Sequence, residues 1–170
     1  TAAQANKVEA NELLSIANNL LCRENPAQLF VTAYVGIMDM DTGHVFYACA
    51  GHNPPVVARK DGRTEFLPIK NKLPLAAMED IKYPVMQTVL EVGDTFVLYT
   101  DGVTEATNKE NELYGDRRLL NIVASLNGKP THEMIHSVKS DVDVFVGGAP
   151  QFDDITLVAI RRMPESEDTI

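Results

Sequence analysis

The chain has 170 residues, of which 45% are hydrophobic, and 24 acidic against 15 basic residues give a formal net charge of −9. This length allows one domain with a real core, and the acidic balance argues against a nucleic-acid-binding surface, which needs a basic stripe. No apolar run reaches the roughly 20 residues of a membrane span, and the N-terminus lacks the basic and apolar regions of a signal peptide.

An amphipathic helix is the first predicted element. Apolar residues recur at three- and four-residue steps and form one stripe, which consists of Ala10, Leu13, Leu14, Ala17, Leu20 and Leu21. The helix is expected to end at Glu24-Asn25-Pro26, because proline disfavours the helical conformation of the residue before it.

The two cysteines fall in different predicted elements. Cys22 lies in the helical pattern, and Cys49 lies in a strand pattern. Two cysteines so placed make neither a disulfide scaffold nor a metal knuckle, so we expect buried free thiols. Free thiols fit a reducing cytoplasm best.

Three hairpins follow, because pairs of strand-like segments are joined by short turns. LFVTAYVGIMDM and HVFYACAG flank Asp41-Thr42-Gly43, PPVVAR and TEFLPI flank 60–63, and VMQTVLEV and TFVLYT flank Gly93-Asp94. Short turns of this kind join antiparallel neighbours, so the sequence predicts a meander. The segment KNKLPLAAMEDIKYP contains two prolines and predicts an irregular crossover.

Two helices and a last strand complete the expected order. The helix in YGDRRLLNIVASLNGKP should end at Gly128, with an apolar face of Leu119, Leu120, Val123 and Leu126. The helix in THEMIHSVKSDVDVF has a face of Ile135, Val138, Val142 and Phe145. The strand in QFDDITLVAIRR follows, and 163–170 form a polar tail. An antiparallel sheet flanked by helices is an α+β protein.

Acidic residues stand where two of these strands meet loops. Asp101 follows TFVLYT, and Asp153 and Asp154 precede ITLVAI. If the two strands are antiparallel neighbours, these acids meet at one rim of the sheet. Close carboxylates need a proton or a cation between them, and their hard oxygens suit Mg²⁺ or Mn²⁺. The alternative reading is an ordinary Asp-Gly turn and a solvated Asp-Asp pair.

Two other polar motifs carry weaker indications. Asp39-x-Asp41-x-Gly43 has the start of a calcium loop, but Ala50 stands where the closing glutamate belongs, so a hairpin turn is expected. His52, in AGHNPP, is either a donor to a bound anion, and so a substrate-binding residue, or a structural turn histidine.

Three segments together resemble the SpoIIE-type serine phosphatases, the compact bacterial branch of the PPM family of metal-dependent protein phosphatases. They are LFVTAYVGIMDMDTGHVFYACAGHNPPVV, LEVGDTFVLYTDGVTEATN and FDDITLVAI, in the family's order and spacing. The resemblance runs from about Asn6 to Arg162. It implies a β-sandwich of two antiparallel sheets with helices outside, and hydrolysis of phosphoserine or phosphothreonine in a protein substrate.

The resemblance also implies the site residues. Asp101 and Gly102 match the family's metal-binding Thr-Asp-Gly element, and Asp153 matches the other C-terminal ligand, so Asp101 and Asp153 are the expected catalytic residues. Asp154 is the reserve ligand, and Glu105 falls where many relatives carry an acid that helps at an additional metal. Two Mn²⁺ or Mg²⁺ ions are expected in the complete domain, where they activate a water for attack on phosphorus.

Two departures from the family pattern shape these expectations. Gly51-His52-Asn53 stands where larger eukaryotic-type members have Gly-Asp-Ser, which argues against a third metal ion there. The Gly-Asp-x-x-Asp and Asp-x-x-Gly-x-Gly stretches that open the family's domain do not precede the first helix. We therefore expect 1–162 to be the C-terminal portion of a phosphatase domain, with about half of the metal site.

The resemblance further implies the partners. These are a phosphorylated regulatory protein, such as an anti-sigma-factor antagonist, and an upstream sensor or receiver domain. From the charge and the apolar pattern, we expect no nucleic-acid partner and no membrane contact from this segment. Exposed sheet edges also allow a homodimer. A second hypothesis is a catalytically incomplete domain that acts as a protein-interaction module.

Overall fold

The structure, a computed structural model, describes residues 9–23, 25–71, 73–151 and 153–164. Its helices are α1 (Ala10–Arg23), α2 (Asp101–Thr104), α3 (Gly115–Ser125) and α4 (Thr131–Val146). Its strands are β1 (Ala33–Met38), β2 (His44–Ala50), β3 (Val56–Ala58), β4 (Thr64–Phe66), β5 (Met86–Val89), β6 (Thr95–Tyr99) and β7 (Leu157–Arg161). These strands form two antiparallel sheets, in the orders β1-β2-β5 and β4-β3-β6-β7. The predicted α+β class with antiparallel sheets is confirmed.

The described residues divide into two compact units. The first consists of those within Thr1–His52 and Pro68–Val89, and the second of those within Asn53–Leu67 and Leu90–Ile170. Each unit therefore combines two separate stretches of the chain. The assignment of 1–162 to one domain stays a prediction, and most of the expected polar tail, 165–170, lies outside the described residues.

Helix α1 buries a narrower face than its apolar stripe predicts. Ala10 and Leu14 are buried at a spacing of four residues, and the next position in that row is the buried Asn18. Leu13 and Leu20 belong to the predicted stripe, yet they are 42% and 58% exposed. The prediction was wrong for these residues because the stripe is wider than the surface against which α1 packs within its unit.

Asn18 holds the crossover segment against α1. Its Nδ2 donates to the Met78 carbonyl oxygen at 2.8 Å, and its Oδ1 accepts from the Ala76 amide at 3.0 Å and the Tyr83 hydroxyl at 3.3 Å. These bonds satisfy a fully buried amide, which would otherwise be costly. The described part of the crossover between β4 and β5 contains no helix or strand, as the two prolines predicted.

The predicted hairpin around Gly93-Asp94 was wrong. Strand β5 pairs with β2 in one sheet, whereas β6 pairs with β3 and β7 in the other. In the structure the buried Asp94 carboxylate accepts from the Lys60 amide at 2.7 Å and the Glu91 amide at 3.1 Å and pairs with Arg59 at 3.1 Å. These contacts join the turn to the β3–β4 hairpin instead of closing a two-strand ribbon.

The second unit has its own hydrophobic core, formed by residues of its sheet and of α2, α3 and α4. The fully buried members include Val56, Val97, Val103, Leu119, Val123, Met134, Val138 and Val142. Two details differ from the predictions. Met134, rather than Ile135, heads the buried row of α4, and α3 ends at Ser125 with Leu126 as its cap instead of continuing to Gly128.

Both cysteines are free, as expected. Cys49 is buried and Cys22 is half-buried, so the expected burial holds fully for Cys49 alone. Burial raises the pKa of the Cys49 thiol, which keeps it protonated and a poor nucleophile. None of the described helices has the length and the apolar character needed to cross a bilayer.

Candidate functional site

Strand pairing brings the candidate acids to one rim of the second sheet. Strands β6 and β7 are antiparallel neighbours, and Tyr99 at the end of β6 lies opposite Leu157 at the start of β7. Asp101 follows β6 by two residues, and the Asp153-Asp154 pair precedes β7. The expected pairing is confirmed, although β7 begins at Leu157 rather than at Ile155.

Thr100 joins the two segments that carry the acids. Its Oγ1 donates to the Asp154 carbonyl oxygen at 2.7 Å and accepts from the Thr156 amide at 2.9 Å. Its own amide donates to the Thr156 carbonyl oxygen at 3.1 Å. Sequence analysis missed this role, for which the only signal was a hydroxyl residue directly before Asp-Gly.

Asp101 begins a single helical turn, α2, rather than a simple reversal of the chain. The Glu105 amide closes the turn by donating to the Asp101 carbonyl oxygen at 2.8 Å. Gly102 in this turn is buried, and a Cβ there would lie 2.5 Å from the Asp154 carbonyl oxygen and 3.2 Å from that of Asp153. Only glycine therefore allows the two backbone segments to approach this closely.

The carboxylates of the candidate acids at the rim are exposed. One oxygen of Asp101 accepts from the Gly102 amide at 3.1 Å, and one oxygen of Asp153 accepts from the Asp154 amide at 2.7 Å. None of the ion pairs among the described residues involves Asp101, Asp153, Asp154 or Glu105. Hard oxygens without a lysine or arginine partner fit a divalent cation such as Mg²⁺ or Mn²⁺.

The same rim does not make a complete metal cage. Three or more histidine, cysteine, aspartate or glutamate side chains do not cluster in metal-binding geometry anywhere in the described residues. The donor set therefore fits part of a carboxylate site. Glu105 and Asp153, with Gly102, also line a cavity of about 830 Å³ in the second unit.

The remaining polar motifs lie in the first unit. His52 Nδ1 is 3.2 Å from Thr32 Oγ1, and its carbonyl oxygen accepts from the Cys49 thiol at 3.2 Å. These contacts suit a structural turn histidine, and a substrate-binding role for His52 stays a prediction. Asp39 Oδ1 accepts from the amides of Asp41 and Thr42 at 3.1 and 3.0 Å, so the expected β1–β2 hairpin turn is confirmed.

Comparison with known proteins supports one family. The profile of the family described as Stage II sporulation protein E (SpoIIE) matches residues 1–163. Phosphoserine phosphatase RsbU of Bacillus subtilis (strain 168) is 28% identical over 156 residues, which cover 91% of this chain and 46% of RsbU. The chain spans less than half the length of the curated relatives that it matches.

Solved structures share the fold. The RsbU and RsbW domains of Rv1364c from Mycobacterium tuberculosis superpose with a TM-score of 0.72 at 25% identity, covering 96% of this chain and 45% of that one. The manganese-presoaked phosphatase domain of SpoIIE from Bacillus subtilis superposes with a TM-score of 0.69 at 18% identity, covering 95% and 69%. Because the family profile matches nearly the whole sequence, this chain belongs to the SpoIIE family.

Proposed function

We propose that the protein containing this chain is a metal-dependent protein serine/threonine phosphatase of bacterial signalling. The pairing of β6 with β7 carries the proposal, because it holds Asp101 beside the Asp153-Asp154 segment at one rim. The relatives support it: RsbU is a phosphoserine phosphatase, and the similar SpoIIE structure is a phosphatase domain presoaked with manganese.

The proposed roles of the rim residues come from the resemblance to the phosphatase family, and the positions of these residues at one rim are consistent with them. Asp101 and Asp153 are the proposed metal ligands, Asp154 is a further oxygen donor, and Glu105 assists an additional ion. Gly102 and Thr100 keep the two segments at the distance that the backbone contacts define. Two Mn²⁺ or Mg²⁺ ions, when bound, supply charge neutralisation of the phosphoryl group and a more acidic water.

The proposed substrate is a phosphorylated regulatory protein, such as an anti-sigma-factor antagonist. The proposed regulation comes from a sensor or receiver domain elsewhere in the protein, and the protein can pair as a homodimer. The chain's acidic charge is consistent with this function because bound cations offset the repulsion between an acidic protein and a phosphate anion.

A catalytically incomplete interaction module is the second candidate. One observation favours it, namely that metal-binding side chains do not gather in groups of three or more within the described residues. Conversely, catalysis is favoured by the close approach of Gly102 to Asp154 and by exposed aspartates that take part in none of the described ion pairs.

The test is Mn²⁺-dependent hydrolysis of a phosphoserine peptide, measured for this chain and for the full-length protein. Asp101→Asn should lower kcat/KM by about 100-fold or more, since even the partners of metal ligands contribute 10–100-fold. Asp61→Asn, at an exposed hairpin turn, is the matched control and should retain activity. If the full-length protein binds a phosphoprotein partner but shows no Mn²⁺-dependent turnover, the interaction module is the correct function.

A further inference from the structure

Three segments of the chain form the walls of the cavity beside the candidate metal rim. The loop that follows α2 supplies Glu105 and Leu113, the C-terminal half of α4 supplies Val142 and Val146, and the segment before β7 supplies Asp153 and Ile155. A volume of about 830 Å³ is large enough for several amino-acid side chains. Asp153 belongs both to this cavity and to the proposed metal site.

The loop wall is held in place by its own hydrogen bonds. The Tyr114 amide donates to the Ala106 carbonyl oxygen at 2.8 Å, and the Asn108 amide donates to the Glu112 carbonyl oxygen at 3.0 Å. The Asn108 side chain accepts from the Glu110 and Glu112 amides at 3.0 and 2.8 Å. A wall of this kind is preformed, so a ligand does not have to order it on binding.

Leu113 is the most unusual residue of this wall. It lines the cavity, yet it is 61% exposed, although the loop around it is well bonded. Val146 and Ile155, which are half-buried, line the same cavity with apolar surface, and the fully buried Val142 lies behind them in the lining. An exposed leucine held rigidly beside apolar surface favours contact with an apolar side chain of a ligand.

The charges around the cavity have one predominant sign. Glu105, Asp143 and Asp153 line it, and the described lining includes no lysine or arginine. Asp143 pairs with Lys139 at 2.6 Å, but this pair is exposed and therefore weak. The loop adds Glu110 and Glu112 against Lys109. Because Glu105 and Asp153 are proposed to hold metal ions, the acids that remain to attract a cationic side chain are Asp143 and the loop residues Glu110 and Glu112.

We infer that this cavity binds the substrate segment next to the phosphorylated residue and selects segments that combine an apolar side chain with lysine or arginine. The inference rests on the proposed phosphatase function. A phosphoryl group bound near Asp153 has its flanking residues beside the cavity, because Asp153 belongs to both. Leu113 is then a specificity-determining residue that contacts the substrate chain but not the phosphoryl group.

The test compares two phosphoserine peptides of equal length on the full-length protein with Mn²⁺. One peptide has leucine and lysine on both sides of the phosphoserine, and the other has glycine and glutamate there. Each kcat/KM is divided by that for p-nitrophenyl phosphate, which has no flanking residues. We expect the leucine-lysine peptide to be preferred by at least about tenfold, the effect of burying one large apolar side chain.

Substitutions on the cavity wall should reduce this preference. Leu113→Asn should lower the peptide-to-nitrophenyl ratio about tenfold, and Asp143→Asn about threefold, as for one exposed charge pair. Val144→Asn is the matched control, because Val144 is a 76% exposed valine on α4 that is not part of the lining. If Leu113→Asn and Val144→Asn give the same ratio, the inference is wrong.

The measurements distinguish an error in the proposed phosphatase function from an error in the proposed peptide binding by the cavity. If the protein hydrolyses neither peptide nor p-nitrophenyl phosphate, the proposed function is wrong. Fluorescence anisotropy of the labelled leucine-lysine peptide then decides the binding site. Affinity lost in Leu113→Asn but kept in Val144→Asn supports peptide binding in the cavity, and equal affinity in the two variants overturns it.

Discussion

Gly102 lies where any side chain would collide with the Asp154 carbonyl oxygen, at 2.5 Å from a built Cβ. Thr100 precedes Asp101 in the sequence, and its hydroxyl donates a hydrogen bond to the same carbonyl oxygen at 2.7 Å. Residues 100–102 therefore position Asp101 through backbone contacts with the segment that carries Asp153 and Asp154. At this scale the candidate site depends on close backbone approach as much as on its acids.

Gly102→Ala should destabilise the protein by about 1–3 kcal/mol, because the added methyl group forces backbone atoms apart. Alanine has a higher helix propensity than glycine, so helix propensity alone would make the substitution stabilising. A loss of stability therefore reports the collision. The substitution should also weaken Mn²⁺ binding, since the Asp153-Asp154 segment has to move. Thermal unfolding and titration calorimetry with Mn²⁺ measure the two effects.

Gly128→Ala is the matched control for Gly102→Ala. A Cβ at Gly128 meets nothing within 4 Å, but its φ of +82° makes alanine unfavourable there. We expect Gly128→Ala to lower stability and to leave Mn²⁺ affinity unchanged. Equal Mn²⁺ affinities in the two variants would show that Gly102 has no part in positioning the acids.

At the scale of elements, one polar cluster links α3 to α4. Arg118 donates to both oxygens of Asp141, at 2.8 and 3.0 Å, and the Tyr114 hydroxyl donates to the same carboxylate at 2.7 Å. The Arg118 guanidinium lies 4.8 Å from the centre of the Phe145 ring. Because Tyr114 ends the loop that forms one cavity wall, the cluster also anchors that wall.

Asp141 should give the protein a pH-dependent stability. Its hydrogen bonds with Arg118, and secondarily with Tyr114, hold the pKa of its carboxyl below the ordinary value. The stabilisation is therefore complete above the unfolded-state pKa, near 3.9, and is lost as pH falls through the lower folded-state pKa. Asp141→Asn should remove about 1 kcal/mol at pH 7, since the ion pair is partly exposed.

Urea unfolding between pH 2 and pH 7 measures this contribution. The difference in unfolding free energy between wild type and Asp141→Asn should shrink as the pH falls below the unfolded-state value. Asp143→Asn, which breaks the surface pair with Lys139 on the same helix, is the control and should show a smaller difference. If the difference in unfolding free energy between wild type and Asp141→Asn stays constant across this pH range, the ionised Asp141 carboxylate is not the source of the stabilisation.

At the scale of the whole molecule, the dominant property is a formal net charge of −9. Like charges repel one another in the compact state, and this repulsion lowers stability. The carboxylates at the candidate site add to it locally, because the described ion pairs leave them without a basic partner. Salt should therefore stabilise this protein.

Raising the NaCl concentration from about 10 mM to about 150 mM shortens the screening length from about 30 Å to about 8 Å. At pH 7 we expect Tm to rise by roughly 2–4 °C, which corresponds to about 1 kcal/mol in a chain of this size. Calorimetry in a metal-free buffer measures the change. The same salt step near the isoelectric point should leave Tm nearly unchanged, and a fall in Tm at pH 7 would refute the explanation.

Local sequence patterns were sufficient to predict the order and type of most elements and the position of the candidate acids. Apolar periodicity identified α1, α3 and α4, and β-rich segments with turn residues identified the strands of both sheets. The rim followed from one assumption, that β6 and β7 are neighbours, which the pairing of Tyr99 with Leu157 confirms. These features are predictable because periodicity and turn chemistry are local properties of the chain.

The pairing and packing partners of each element depend on contacts between distant parts of the chain, and local patterns did not predict them. The short turn at Gly93-Asp94 predicted β5 next to β6, but β5 pairs with β2 and β6 pairs with β3. The buried Asp94 carboxylate accepts instead from the amide of Lys60, 34 residues away. Leu14 and Leu21 lie seven residues apart and therefore on the same face of α1, yet Leu14 is buried and Leu21 is 42% exposed. From the sequence, Gly102 looks like an ordinary turn glycine. The structure shows that it also packs closely against the backbone of Asp154, 52 residues later. Such contacts depend on residues distant in the chain, so no local pattern contains them.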